Sequence, residues 1–160
     1  MNDINKLEKM INSELTSKIK KSKIKHSQLY LTIDPENLID VVLFLKTNEN
    51  LKFKQLIELT AVDYPEKNNR FKMVYMFLSH EYNSRVILDF LIKEGDLVQT
   101  LTSIFPSTNW MEREVFDMYG IKFKDHPDLR RILTDYGFEG YPLRKDFPLT
   151  GHKEVRYSDD

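Results

Sequence analysis

The residues best suited to chemistry stand close together. Glu112, Arg113, Glu114 and Asp117 fall within one short segment, and His126 and Asp128 flank Pro127 a little further on. Two carboxylates can divide acid and base roles when they converge on one substrate, and a carboxylate can hold an imidazole ready for proton transfer. Spacing limits both ideas. Glu112 and Glu114 are two positions apart, about 200° around a helix, so they do not face each other. Glu114 and Asp117 share a helix face, and so do Arg113 and Asp117; the latter spacing predicts an ion pair on the helix surface. His126 and Asp128 supply two candidate ligands where a metal needs three or four that converge. The other histidines, His26, His80 and His152, form no HxxxH or HExxH pattern. The expectation is a surface or interface role for this cluster, with no catalytic, cofactor-binding or metal-binding residue in it.

Other chemistries lack their parts. There is no cysteine, which excludes a thiolate nucleophile, a disulfide framework and a cluster or zinc ion held by cysteine. No Gly-x-Ser-x-Gly elbow, GxGxxG turn or phosphate loop occurs; Gly137-Phe138-Glu139-Gly140 is not followed by Lys-Ser/Thr. Arg130-Arg131 and Arg144-Lys145 could grip phosphates, but Asp128, Asp135 and Asp146 stand beside them and predict local pairing. The 24 basic and 25 acidic residues give a net charge of −1, which argues against a nucleic-acid binder. No apolar run nears the roughly 20 residues of a membrane span, and the N-terminal residues carry neither a signal-peptide nor a transit-peptide pattern.

The elements that would position these residues read as an α+β domain. Ile4, Leu7, Met10, Ile11, Leu15 and Ile19 predict an amphipathic helix over 4–19, ending in the lysines 18, 20, 21, 23 and 25. Those lysines suit a solvated helix end; anionic lipid or nucleic acid is the alternative. Strands are expected at 28–33, 55–64, 71–79 and 85–91, the last two joined as a hairpin. Asp34-Pro35 opens a helix that carries Leu38 to Leu45. Gly95-Asp96 opens a short helix over 97–104, and Ser107, Thr108 and Asn109 supply caps for another over 110–118. The simplest packing is a small mixed or antiparallel sheet with helices mainly on one face.

After Tyr119 the composition changes. Four of five glycines and three of six prolines lie between 120 and 151, while apolar side chains continue at Tyr136, Phe138, Leu143, Phe147 and Leu149. A disordered linker would not carry so many, and a structureless loop of about 30 residues is rare inside a domain. We therefore divide the chain into a core domain, 1–119, and an extended arm, 120–160, that requires a partner to cover its apolar side chains.

The run from Glu112 to Ile121, then Phe123 and His126 to Leu133, continuing through Thr134-Asp135-Tyr136-Gly137-Phe138-Glu139-Gly140-Tyr141-Pro142-Leu143-Arg144-Lys145-Asp146-Phe147-Pro148-Leu149-Thr150, closely resembles the signature of the complex I 30-kDa subunit family. Its members are also called the C subunit, or subunit 9 when mitochondrially encoded. Leu59 to Tyr64 resembles a second family segment, and Tyr141 stands where the family pattern has histidine. The chain is shorter at both ends than typical members. The resemblance implies a non-catalytic subunit in the hydrophilic arm of NADH:quinone oxidoreductase, next to the 49-kDa (D) subunit and the iron–sulfur subunits. It implies no cofactor on this chain, while the whole complex uses NADH, FMN, iron–sulfur clusters and quinone. It places the chain peripherally on an inner membrane, on the mitochondrial matrix side or the bacterial cytoplasmic side. The interface residues it suggests are Glu112, Arg113, Glu114, Asp117, His126, Asp128, Arg130, Arg131, Asp135, Tyr136, Phe138, Arg144, Lys145, Asp146 and Phe147. Two other readings stand beside it: a stand-alone acid–base enzyme using Glu114, Asp117, His126 or Asp128, and an assembly factor not retained in the finished complex.

Overall fold

Apolar runs rich in aromatic and branched side chains dictate most of the sheet. In the computed structural model, which describes residues 4–151, strand β4 (Phe71–Ser79) turns Phe71, Met73, Tyr75 and Phe77 inward and Lys72, Val74, Met76 and Leu78 outward. Strand β5 (Ser84–Ile92) pairs antiparallel with β4 and parallel with β2 (Gln28–Ile33). Strand β3 (Gln55–Asp63) lies outside β4, and β1 (Ile19–Lys25) lies outside β2, giving a five-stranded mixed sheet in the order β1-β2-β5-β4-β3.

One face of this sheet holds the core. Leu29, Leu31, Tyr75, Phe77, Leu88 and Phe90 line it, and Ile11 of α1 (Ile4–Glu14), Val41, Val42 and Leu45 of α2 (Leu38–Thr47) and Val115 of α3 (Thr108–Tyr119) pack into the same cluster. Tyr75 and Phe90 stack at 5.7 Å, and Phe77 meets Phe105 at 5.7 Å; such pairs contribute about 1 kcal/mol each beyond the burial of their area. The α+β class, with helices on one face, is as expected.

Three local expectations fail, each for a physical reason. The first helix stops at Glu14; Lys18 precedes β1, and Lys20, Lys21, Lys23 and Lys25 lie on it, all four exposed, while Ser22 and Ile24 between them are half-buried. Lys25 pairs with Gln28, so β1 and β2 are joined by His26 and Ser27 alone, at φ 49° and 57°. A two-residue turn with both φ values positive normally shows itself through Gly or Asn, and neither is there. The segment expected as a helix over 97–104 instead starts as strand β6 (Leu97–Gln99), parallel to β7 (Lys122–Lys124). Val98 and Phe123 enter the core side by side, and Asp96 accepts a hydrogen bond from the Lys93 N–H in a turn. Ser107 caps α3 without a side-chain hydrogen bond, while the Thr108 hydroxyl donates to the Phe105 carbonyl at 2.8 Å.

Candidate docking site: a C-terminal arm and the helix beneath it

Helix α3 carries four of the charged residues considered for chemistry, and two of them, Glu112 and Asp117, point inward. Glu112 is fully buried. It accepts from the Leu101 N–H at 2.8 Å and the Thr100 hydroxyl at 2.5 Å. Burial pushes its carboxyl up from the ordinary range, and these donors pull the other way. The enclosed His126 ring lies 3.8 Å from Glu112. His126 Nε2 donates to the Asn109 carbonyl at 3.0 Å, and its Nδ1 accepts from the Asp128 N–H at 3.0 Å. This pattern places the proton on Nε2 and engages the lone pair of Nδ1.

Asp117 is also fully buried. Its Oδ2 accepts from three successive backbone N–H groups, Ile132, Leu133 and Thr134, at 3.0, 2.8 and 2.9 Å. Its Oδ1 accepts from the Thr134 hydroxyl at 2.7 Å and from Arg131 at 2.9 Å. Burial alone would raise this carboxyl; the Thr134 hydroxyl and the three N–H groups outweigh it and hold the pKa at about 2. The expected Arg113–Asp117 surface pair is therefore replaced. Arg113 donates instead to the carbonyls of Arg130 and Arg131, at 3.0 and 3.1 Å, one helical turn from Asp117.

A second buried carboxylate holds the far part of the arm. Asp63, at the end of β3, accepts from Arg70 Nε and Nη2 at 2.7 and 3.0 Å and from the Lys145 N–H at 2.8 Å. Arg70, followed by the burial that opposes it and then the Lys145 N–H, leaves this carboxyl below its usual range. Arg70 also reaches Glu94 at 3.0 Å and Asp146 at 2.8 Å. Arg144 donates to the Tyr119 carbonyl at 2.6 Å and to Glu94 at 2.5 Å, its guanidinium between the Phe71 and Tyr141 rings. Gly120 makes this crossing possible. It ends α3 at φ 76°, and a Cβ there would stand 2.6 Å from the Tyr141 ring. Tyr141, the departure from the family pattern, thus stacks between Arg131 and Arg144.

The remaining candidates face outward. Glu114, Asp135, Lys145 and Asp146 are exposed, and Asp128 and Arg130 form a surface pair at 2.7 Å. Phe138 stacks on Phe147 at 6.0 Å. Tyr136 is 95 % exposed and Leu149 107 %, with Leu133 and Leu143 also exposed. His152 and the end of the arm, 152–160, lie outside the described residues. Sequence reading missed Asp63, Arg70 and Glu94 as partners of the arm. The one available signal was the resemblance of Leu59 to Tyr64 to a family segment, which contains Asp63.

Two surface clefts, of about 520 and 750 Å³, lie elsewhere, against α1 and the β4–β5 turn. Neither is lined by Glu112, Glu114, Asp117, His126 or Asp128. Among the described residues no group of three or more histidines and acids is placed to hold a metal ion, and no helix is long and apolar enough to cross a membrane.

The sequence pattern of the family described as respiratory-chain NADH dehydrogenase, 30 Kd subunit, matches residues 31–153. The chain belongs to this family. It is 56 % identical over 132 residues to the C subunit of the NADH-quinone oxidoreductase of Ruegeria pomeroyi, covering 82 % of this chain and 66 % of that one. It is 53 % identical over 133 residues to the NADH-ubiquinone oxidoreductase subunit 9 of Reclinomonas americana, covering 83 % and 65 %. It is 46 % identical over 160 residues to the C subunit of the Rhodopseudomonas palustris NADH-quinone oxidoreductase, covering 100 % and 80 %. The chain thus spans just under two thirds of the length of the first two. A chain in the structure of the membrane-bound sulfane sulfur reductase, an archaeal respiratory membrane complex, shares the fold with a TM-score of 0.78 at 22 % identity, covering 91 % of this chain and 85 % of that one. The 30-kDa family match takes in both carboxylate clamps, Asp63 with Lys145 and Asp117 with residues 132–134.

Proposed function

We propose that this chain is a non-catalytic structural subunit of the hydrophilic arm of proton-translocating NADH:quinone oxidoreductase. In this reading it docks onto the 49-kDa (D) subunit and the iron–sulfur subunits, and other chains carry NADH, FMN, the clusters and quinone. It sits peripherally on the inner membrane, on the matrix or bacterial cytoplasmic side. The carrying observation is the arm itself. Two buried carboxylates accept four of its backbone N–H groups, three at Asp117 and one at Asp63, while Tyr136, Leu143 and Leu149 are exposed. A backbone held rigid with apolar side chains facing out is preorganised for a partner's pockets, because the ordering entropy is already spent. The names of the relatives supply the identity of that partner assembly. The candidate acid–base residues are engaged in holding the arm or lie exposed, outside both clefts, which supports assigning no chemistry to this chain.

The test uses the outward side chains. Tyr136→Ala and Leu149→Ala, made in the full chain, leave its own stability within about 0.5 kcal/mol, as exposed positions do. Together they weaken incorporation into the oxidoreductase by about 2 kcal/mol or more, as loss of interface anchors does. Blue-native gels and NADH:quinone activity of the membranes measure this. Unchanged incorporation would contradict docking through the arm. A cut at Gly120 is a poorer test, because it also removes Ile121 and Phe123 from the core.

A further inference from the structure

The face of the sheet opposite the helices has its own pattern, set by register. Lys25 stands beside Gln28, Lys23 beside Tyr30 and Lys21 beside Thr32 on the outward side of β1 and β2. Tyr30 neighbours Ile87 on β5, which neighbours Met76 on β4. Arg85 stands on β5 next to Leu78 of β4. The result is an apolar centre of half-buried Tyr30 and Met76 and buried Ile87, with the exposed Lys21, Lys23 and Lys25 along its β1 side and the exposed Arg85 at the start of β5. Strand geometry spaces the three lysines about 7 Å apart and places Arg85 about 10 Å from the β1 row.

These cations differ from their neighbours. Lys18 is paired with Asp40, Lys20 with Asp34, and Lys72 with Asp89. Among the described residues, Lys21, Lys23, Lys25 and Arg85 have no carboxylate partner; Lys23 lies over the Tyr30 ring at 5.4 Å. With a net charge of −1 on the whole chain, the cluster is a local separation of charge. Lysines on an edge strand also discourage sheet extension, but that does not account for Arg85, which sits on an interior strand. Cations spaced near the Debye length of about 8 Å at physiological salt add their potentials.

We infer that this outer sheet face is a second docking surface, separate from the arm, for a neighbouring protein subunit that presents an acidic rim beside an apolar patch. The apolar centre favours a protein, since protein interfaces join such a centre to a charged rim. A single-stranded nucleic acid would require a row of stacking aromatics, and Tyr30 stands alone. The inference rests on the chain being a subunit of the oxidoreductase.

Lysine acetylation of the detergent-solubilised complex, compared with the free chain, tests it. Lys21, Lys23 and Lys25 become protected in the complex, and carbodiimide joins at least one of them to an acid of another subunit. The double variant Lys23→Glu with Arg85→Glu keeps its thermal midpoint and loses incorporation by about tenfold or more, as like charges across an interface do. Equal acetylation of the three lysines in free chain and complex would overturn the inference. So would binding of the free chain to vesicles of equal phosphatidylcholine and phosphatidylglycerol that the double variant abolishes, with the lysines still reactive in the complex. Absence of the chain from the purified complex would instead overturn the proposed function, and the two failures are thereby distinct.

Discussion

Asp117→Asn lowers the stability of this chain by about 3 kcal/mol, a shift of roughly 10 °C in thermal midpoint for a domain of this size. The substitution keeps the shape and removes the charge. All five groups facing the carboxylate are donors: three backbone N–H groups, the Thr134 hydroxyl and Arg131. The Asn amide turns one acceptor into a further donor, so at least one buried N–H or the guanidinium loses its partner. The effect depends on pH in a defined direction. The folded carboxyl sits at about 2 against 3.8 when free, so the native state binds its proton more weakly than the unfolded chain. That difference contributes about 2 kcal/mol, fully present above pH 3.8 and lost as pH falls through about 2. Urea unfolding of both chains between about pH 5 and about pH 2 therefore shows a gap that narrows with acid. A gap independent of pH would mean that Asp117 acts through packing and not through its charge.

Arg70→Ala is the second large loss, about 3–5 kcal/mol, because it strands a buried carboxylate. Arg70 uses its whole fork: Nε and Nη2 on Asp63, Nη1 on Glu94, and Nη2 again on Asp146. Without it, Asp63 keeps one hydrogen bond, from the Lys145 N–H, with the charge of Arg144 nearby, and Glu94 and Asp146 also lose a partner. The Asp63 carboxyl is held low chiefly by Arg70, so its stabilisation exists above the free carboxylate range and is lost on acidification; in the variant this acid limb shrinks. Arg70→Lys restores little, since an ammonium is a point charge and cannot span both oxygens of Asp63 while reaching Glu94. Hydrogen exchange at Lys145, together with thermal melts, reads the result: fast exchange in both variants. Full protection in Arg70→Lys would show that charge alone holds this end of the arm.

Legibility in the sequence followed the length scale of each interaction. Strand β2 was readable because its residues alternate, and β3 to β5 because they are β-rich apolar runs bounded by turn residues, as at Met73 to Leu78. Strand β1 was not, because its outward lysines hide the alternation of Ser22 and Ile24 and its turn uses His26-Ser27. Strand β6 is three residues whose pairing partner lies at 122–124, beyond reach of local propensity. The charge on α3 was visible, yet its use was not. The partners of Asp117 lie 14 to 17 residues downstream and those of Asp63 up to 82, and most are backbone N–H groups that no side-chain pattern announces. The arm's glycines and prolines showed where regular structure ends. They did not show that Asp63 and Asp117 would draw its backbone back onto its own domain.

Purification of the tagged full chain from native membranes in mild detergent, with quantification of every co-migrating subunit, tests the proposed role most directly. The prediction is equimolar recovery with the flavin and iron–sulfur subunits in an active NADH:quinone oxidoreductase, while the isolated chain turns over neither NADH nor quinone. Recovery of the chain apart from an oxidoreductase that is complete and active without it would contradict the role, as would NADH or quinone turnover by the chain alone.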